Sequence, residues 1–238
     1  MSRSRFAFGL IALACAMAPA VASAQPRGAD EVLARELYFE ERGPNRMATW
    51  TADARIARHP VIFRAIRAQA LREAPLRDDC TVTMPCSRVM TDELSYSGTR
   101  LLSIFSTTDQ FLGGAHGAVG VSDGIYDLRT NRRLRFGDLF TNWNRAKPLI
   151  QAKICESLRQ VRDNMEGIDC PDADRVAYGL TEASEIPVGR AASGFEVRMS
   201  DYALGSYAAG RETLWINLDQ ALLNLIKPEY RADFRVPD

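Results

Sequence analysis

The stretch ELSYSGTRLLSIFSTTDQFLGGAHGAVGVSDGIYD, residues 93–127, decides the fold. Its runs Glu93–Ser97, Arg100–Thr107 and Ala118–Asp127 are rich in Thr, Val, Tyr, Phe and Ile, residues that suit a pleated, half-buried surface. Glycine-containing turns separate them, so the stretch reads as an antiparallel meander, with one more strand candidate just upstream at Thr81–Met84. Further upstream, Trp50, Ala52, Ala54 and Ile56 alternate with polar residues as a strand should, until His59-Pro60 stops the pattern. Pro60 suits a first helical turn, where its missing N–H costs nothing. Ile62, Ala65, Ile66, Gln69 and Ala70 then follow at steps of three and four, which predicts a helix to about Glu73, ahead of Pro75. Downstream, Leu149, Ala152, Ile154, Leu158 and Val161 mark a helix from about Asn144 to Asn164. Two strands are expected at Gly194–Met199 and Thr213–Ile216. A last helix follows, capped by Asn217, carrying Leu218, Leu222, Leu225 and Ile226, and ended by Pro228. A block of strands flanked by helices implies the α+β class, an antiparallel sheet meander packed with two to three helices in a single compact domain.

The N-terminus carries Arg3 and Arg5, an uncharged run Phe6–Ala18 and a small-residue site Ala22-Ser23-Ala24, the pattern of a cleavable export signal over residues 1–24. Cys15 follows Ala12-Leu13-Ala14 and is a poorer lipidation site than Ala24 is a cleavage site. The expected location is therefore periplasmic or secreted, with no membrane span, since the run falls short of roughly 20 apolar residues. Residues 25–48 are polar and mixed and are expected to form a poorly ordered lead to a domain at 49–230.

The 238 residues carry 30 Lys plus Arg against 30 Asp plus Glu; without the leader the balance is 28 to 30, a formal charge of −2. That excludes a generally basic nucleic-acid binder. It also leaves four cysteines in an exported chain, for which two disulfides are the natural reading. Local pairing of Cys80 with Cys86 and of Cys155 with Cys170 is the simplest of three connectivities, and each closed loop would contribute about 2–3 kcal/mol. Without a Cys-x-x-Cys pair, and with only His59 and His116 available, no metal site and no cofactor is expected.

The run Phe111-Leu-Gly-Gly-Ala-His-Gly-Ala118 places three glycines around one histidine between strands, which calls for positive φ or very close backbone packing. With the later Leu134-Arg-Phe-Gly-Asp-Leu-Phe140 and Tyr202-Ala-Leu-Gly-Ser-Tyr-Ala-Ala-Gly210, in that order and spacing, it resembles an exported domain of unknown function. That domain occurs in the anti-sigma factor RsiV and in the N-terminal part of the peptidoglycan deacetylase PdaC. The similarity covers about 91–228, and more weakly the strand and helix within 49–90. The resemblance implies a non-catalytic α+β domain that binds something at the cell envelope, with lysozyme as the ligand of one relative. Sigma binding would need a membrane helix and a cytoplasmic segment, and deacetylation a separate metal-binding domain, so neither activity is carried over.

The candidate residues follow from chemistry. His116 could act as a general base if Asp109, Asp123, Asp127 or Asp138 fixed its tautomer, the arrangement of a small envelope hydrolase. The simpler expectation is a ring bonded to backbone within the glycine turn, whose loss would affect folding more than binding. Arg129, Arg132, Arg133 and Arg135 could meet an acidic partner, and Tyr202, Tyr207 and Trp215 could stack on a sugar or fill a protein pocket. Asp78-Asp79, Asp92-Glu93 and Asp172 with Asp174 read as solvated surface rather than a glycosidase pair. No Gly-x-Ser-x-Gly elbow is present, which argues against a serine hydrolase. The favoured partner is an envelope protein, such as a lysozyme-like enzyme, or a cell-wall glycan fragment; the sequence leaves the oligomeric state open.

Overall fold

A computed structural model describes residues 33–76, 80, 85–162, 170–181 and 191–237. The export signal, the strand expected at Thr81–Met84 and the Asp78-Asp79 pair lie outside the described residues.

The chain begins with β1 (Tyr38–Gly43), paired antiparallel with β2 (Arg46–Ala52). This hairpin corrects the expectation of a poorly ordered lead up to residue 48. Pro44 and Asn45 make a tight turn, Asn45 taking the left-handed conformation (φ 59°) that its short amide tolerates. Glu40 and Arg42 are exposed on one face while Glu41 lies half-buried with Phe39 on the other, so charge on both faces disguises the alternation. The strand read at Trp50–Ile56 also shifts: it ends at Ala52. Asp53 then caps a 3-10 turn at Ala54–Arg58 by accepting from the Arg55 N–H at 2.8 Å, so Ile56 is buried from a helical turn.

Helix α1 (Pro60–Glu73) has the predicted bounds and buries Ile62, Phe63, Ile66 and Ala70 on one stripe. It carries the chain back to the starting end, so β3 (Cys86–Ser97) joins β2 in parallel, Arg46 opposite Cys86. The sheet is therefore mixed rather than a pure meander, because a parallel neighbour requires such a crossover. From β3 the expected meander holds, through β4 (Leu101–Phe111), β5 (Ala118–Asp127) and the short β6 (Arg132–Leu134), giving a six-stranded sheet in sequence order.

Asn142 caps helix α2 (Trp143–Val161), whose buried stripe is Ala146, Ile150, Ile154 and Leu158; Leu149 and Val161, expected on that stripe, are exposed. A second, antiparallel sheet follows: β7 (Ala177–Thr181), β8 (Gly194–Arg198) and β9 (Thr213–Asn217). Asn217 ends β9. The cap of the last helix, α3 (Gln220–Leu225), is Asp219, whose carboxylate accepts from the Leu222 N–H at 2.9 Å.

Strand alternation splits the core in two. Leu102, Ile104 and Tyr126 face α1 with Trp50, Met90 and Leu94, whereas Leu101 and Ile125 face α2 and the second sheet. The two sheets meet where Gly179 of β7 lies against Phe105 of β4: a Cβ on Gly179 would stand 2.3 Å from the ring. Ser103 on β4, fully buried, accepts the Leu180 N–H at 3.0 Å and pins the same contact. Asp233 likewise ties the C-terminal segment to the β3–β4 turn, accepting from the N–H groups of Thr99 (2.6 Å) and Arg100 (2.9 Å).

Cys155 and Cys170 are disulfide-bonded, joining the C-terminal half of α2 to the segment that leads into β7. Cys80 and Cys86 border one small apolar cluster with Ala48 and Leu76. Replacing Cys155 and Cys170 together by alanine is expected to lower stability by about 3 kcal/mol, the loop-closure entropy of a separation of 15 residues. Urea unfolding of the double variant beside the parent checks this; an unchanged midpoint would show that the bridge is not a brace.

Candidate functional site

The β4–β5 turn is built as the glycines require. Gly113 (φ 92°) and Gly114 (φ 103°) adopt conformations that a side chain would strain, and they turn His116 outward. His116 Nδ1 lies 2.8 Å from the Gly117 carbonyl oxygen. That oxygen can only accept, so Nδ1 carries the proton and Nε2 of the neutral ring is left as an acceptor. The ring thus bonds backbone within the glycine turn and is exposed.

A second loop, 200–212, comes to meet it. Ser200 and Asp201 dock on the first residues of β5: Asp201 accepts from the Val119 N–H at 2.6 Å and returns its own N–H to the Val119 carbonyl at 2.9 Å, while Ser200 Oγ accepts from the Val121 N–H at 2.8 Å. On the other side, Arg162 at the end of α2 pairs with Glu212 at 2.6 Å and donates to the Ala209 carbonyl at 2.8 Å. Held at both ends, the loop carries Tyr202 at a positive φ of 66°, a conformation that costs a tyrosine about 1–2 kcal/mol.

The result is an aromatic triad. Tyr207 stacks on His116 with ring centroids 3.9 Å apart and planes 17° apart, and Tyr202 stands tilted beside both, its centroid 6.4 Å from His116 and 5.8 Å from Tyr207. The Tyr202 hydroxyl lies 3.4 Å from Nε2. Tyr202 remains 53% exposed and Tyr207 42%, so the stack fills no core.

The carboxylates proposed to orient His116 do not do so. Asp127 lies at the far end of β5, about 30 Å along a ten-residue strand from its beginning. There it takes a two-pronged hydrogen bond from Arg100 (2.8 and 3.0 Å), which holds its carboxyl down at about 2. Asp109 sits on β4 near the turn without a hydrogen bond to His116. Asp138 caps the turn after β6 by accepting from the Arg135 N–H at 2.9 Å. Among the described residues, no three His, Cys, Asp or Glu side chains gather as a metal site would need.

The arginines separate. Arg129 is exposed on the β5–β6 turn, Arg132 lines a small cleft with Lys227 and Tyr230, and Arg133 and Arg135 face a larger one. Trp215, 58% exposed, stands on the outward face of β9. Asp92 and Glu93 point to opposite faces of β3. Asp92 is buried under hydrogen bonds from Trp50 Nε1 (2.6 Å) and Ser106, and burial raises its carboxyl above the usual range. Asp172 and Asp174 both clasp Lys147, an ion-pair role rather than an acid–base one.

Comparison with known proteins adds little at the level of sequence: no family model and no curated protein matches the chain. Two solved structures are similar in shape. One is a DUF3298 family protein from Pseudomonas aeruginosa PAO1, at TM-score 0.46 and 16% identity over 80% of this chain and 91% of that one. The other, from Bacteroides fragilis NCTC 9343, gives TM-score 0.44 and 13% identity over 74% and 66%. The structural neighbours are DUF3298 family proteins. No described helix is long and apolar enough to cross a membrane.

Proposed function

We propose that the protein is an exported, non-catalytic binding domain of the cell envelope, of the RsiV and PdaC type. Its ligand is a lysozyme-like protein or a peptidoglycan fragment, gripped by His116, Tyr202 and Tyr207. The observation that carries this reading is the exposed triad: one ring from the β4–β5 turn and two from the distant 200–212 loop, one of them on a strained backbone, held together without contributing to either core cluster. Strain without burial does not stabilise a fold, and it persists where a recognition surface uses it. Rigid aromatic rings also give large contact area at small entropic cost, which is why they dominate binding hot spots.

Calorimetric titration of the purified protein with hen-type lysozyme and with muropeptides tests the reading. His116→Ala and Tyr207→Ala are each expected to weaken binding at least tenfold while leaving the melting temperature within about 2 °C, since exposed side chains away from caps and cores contribute little to stability. Equal affinity of parent and variants, or no binding of either ligand class, removes the triad as the site.

A further inference from the structure

Where the β6 edge of the first sheet meets β7 of the second, the structure leaves a cleft of about 770 Å3, inside the roughly 300–1,000 Å3 range of small-molecule sites. Its floor is aromatic. Tyr178 is buried, its hydroxyl bonded to the Ala173 carbonyl at 2.7 Å and its ring stacked on Phe136 at 3.8 Å and 3°. Trp143, the first residue of α2, is half-buried at the mouth, edge-on to Phe136 at 5.8 Å. Its indole also packs against Phe140 at 5.6 Å and over Gly137, and it lines the opening.

The walls are polar and carry both signs. Asp123 on β5 faces this side of the sheet, as do Phe105 and Ile125, because side chains alternate. Among the described residues its carboxylate takes no side-chain partner, and burial raises its carboxyl above the usual range even with Arg133 nearby. Arg133, opposite Tyr126 on the α1 face, reaches the sheet edge to donate to the Asp123 carbonyl oxygen, where it borders both this cleft and a smaller pocket on the α1 side. Arg135 has no ion pair among the described residues, and Asp174 closes the opposite wall.

We propose that this cleft binds a saccharide ring, with Trp143 against the ring's C–H face and Asp123 and Arg133 hydrogen-bonding adjacent hydroxyls. A carboxylate accepts from one hydroxyl while a guanidinium donates to the next, a pairing that suits the alternating donors and acceptors of a diol and leaves neither charge unsolvated. The near balance of charge favours a neutral ring over an anion, which Asp123 and Asp174 would repel, and over a cation, which the two arginines would repel. The site is separate from the triad and does not depend on the triad's having a ligand.

Saturation-transfer NMR of the purified protein, with trisaccharides of β-linked glucose and of N-acetylglucosamine, tests the assignment, and titration supplies the affinities. At least one sugar is expected to bind. Asp123→Asn and Arg133→Gln are each expected to weaken it about tenfold, the loss of one charge-assisted hydrogen bond. Asp123→Asn removes a desolvated charge and keeps the shape, so its melting temperature should match or exceed the parent's, which separates lost binding from lost folding. Tyr207→Ala should bind sugar as the parent does, whatever its effect on other ligands. Binding of neither trisaccharide, binding that survives both wall variants, or binding of glycylglycine in place of the sugars overturns the proposal.

Discussion

Asp127→Ala is expected to cost about 3 kcal/mol of folding stability, the lower end of what removing one partner from a buried ion pair costs. Asp127 is 4% exposed and receives, besides both prongs of Arg100, the Arg129 N–H at 2.9 Å and the Tyr230 hydroxyl at 3.4 Å. It therefore fastens the β3–β4 turn, the β5–β6 turn and the C-terminal segment at one point. Without it, the Arg100 guanidinium lies on the Tyr230 ring, 5.5 Å from its centroid, with no carboxylate to answer its charge. That guanidinium is partly exposed and can turn toward water, which keeps the expected loss at the low end. The same residue gives a pH dependence. Its folded carboxyl titrates near 2 and its unfolded one near the ordinary 3.8, chiefly because Arg100 stabilises the charged form. The unfolded chain takes up the proton first as pH falls, so the stabilisation is complete above about pH 4 and drains away between pH 4 and 2. Urea midpoints for parent and Asp127→Asn across pH 2–7 read this directly: the gap between them should narrow through that window. A gap of constant size would mean that Asp127 does not titrate as a buried ion pair.

Phe195→Ala should be the most damaging single truncation, at about 3–5 kcal/mol. Phe195 on β8 is fully buried, with Phe136 edge-on at 5.0 Å, Phe234 at 6.0 Å and Phe140 at 6.3 Å. These neighbours come from the β6–α2 connection and from the C-terminal segment, so no single element can collapse to fill the hole. A fall in melting temperature of about 10 °C is expected for a chain of this size. Thermal unfolding followed by near-ultraviolet circular dichroism measures it, with Tyr202→Ala as the exposed control. A fall of less than about 3 °C would mean that the space repacks.

What the sequence discloses depends on whether the signal is local. Helix α1 announces itself through Pro60 and a clean apolar stripe, and β5 has the bounds its sequence suggests, whereas β4 runs four polar-rich residues past Thr107 to Phe111. β7 was not legible. Ala177-Tyr-Gly-Leu-Thr181 is five residues long with a glycine in its middle, and that glycine is present because Phe105, distant in sequence, needs the space. The parallel join of β2 to β3 was equally hidden, since the residues of a strand do not record the direction of its neighbour. At the candidate site the residue types were legible and their grouping was not. His116, Tyr202 and Tyr207 stood out as glycine-flanked aromatics, but only the docking of Ser200 and Asp201 on β5 brings them together. Trp143 and Tyr178 gave no sign of lining a cleft, because an aromatic at a helix start or within a short strand reads as core.

The crossover through α1 also divides the sheet by the order in which it can be assembled. β3, β4 and β5 are joined by short turns and zip outward from them. Joining β2 to β3 instead closes the whole segment between Ala52 and Cys86 before a single rung forms, and the entropy of that closure comes due before any pairing offsets it. The Trp50 side of the protein is thus a late addition to a platform already standing, and the β1–β2 hairpin with its helix forms the lid of the fold rather than its foundation.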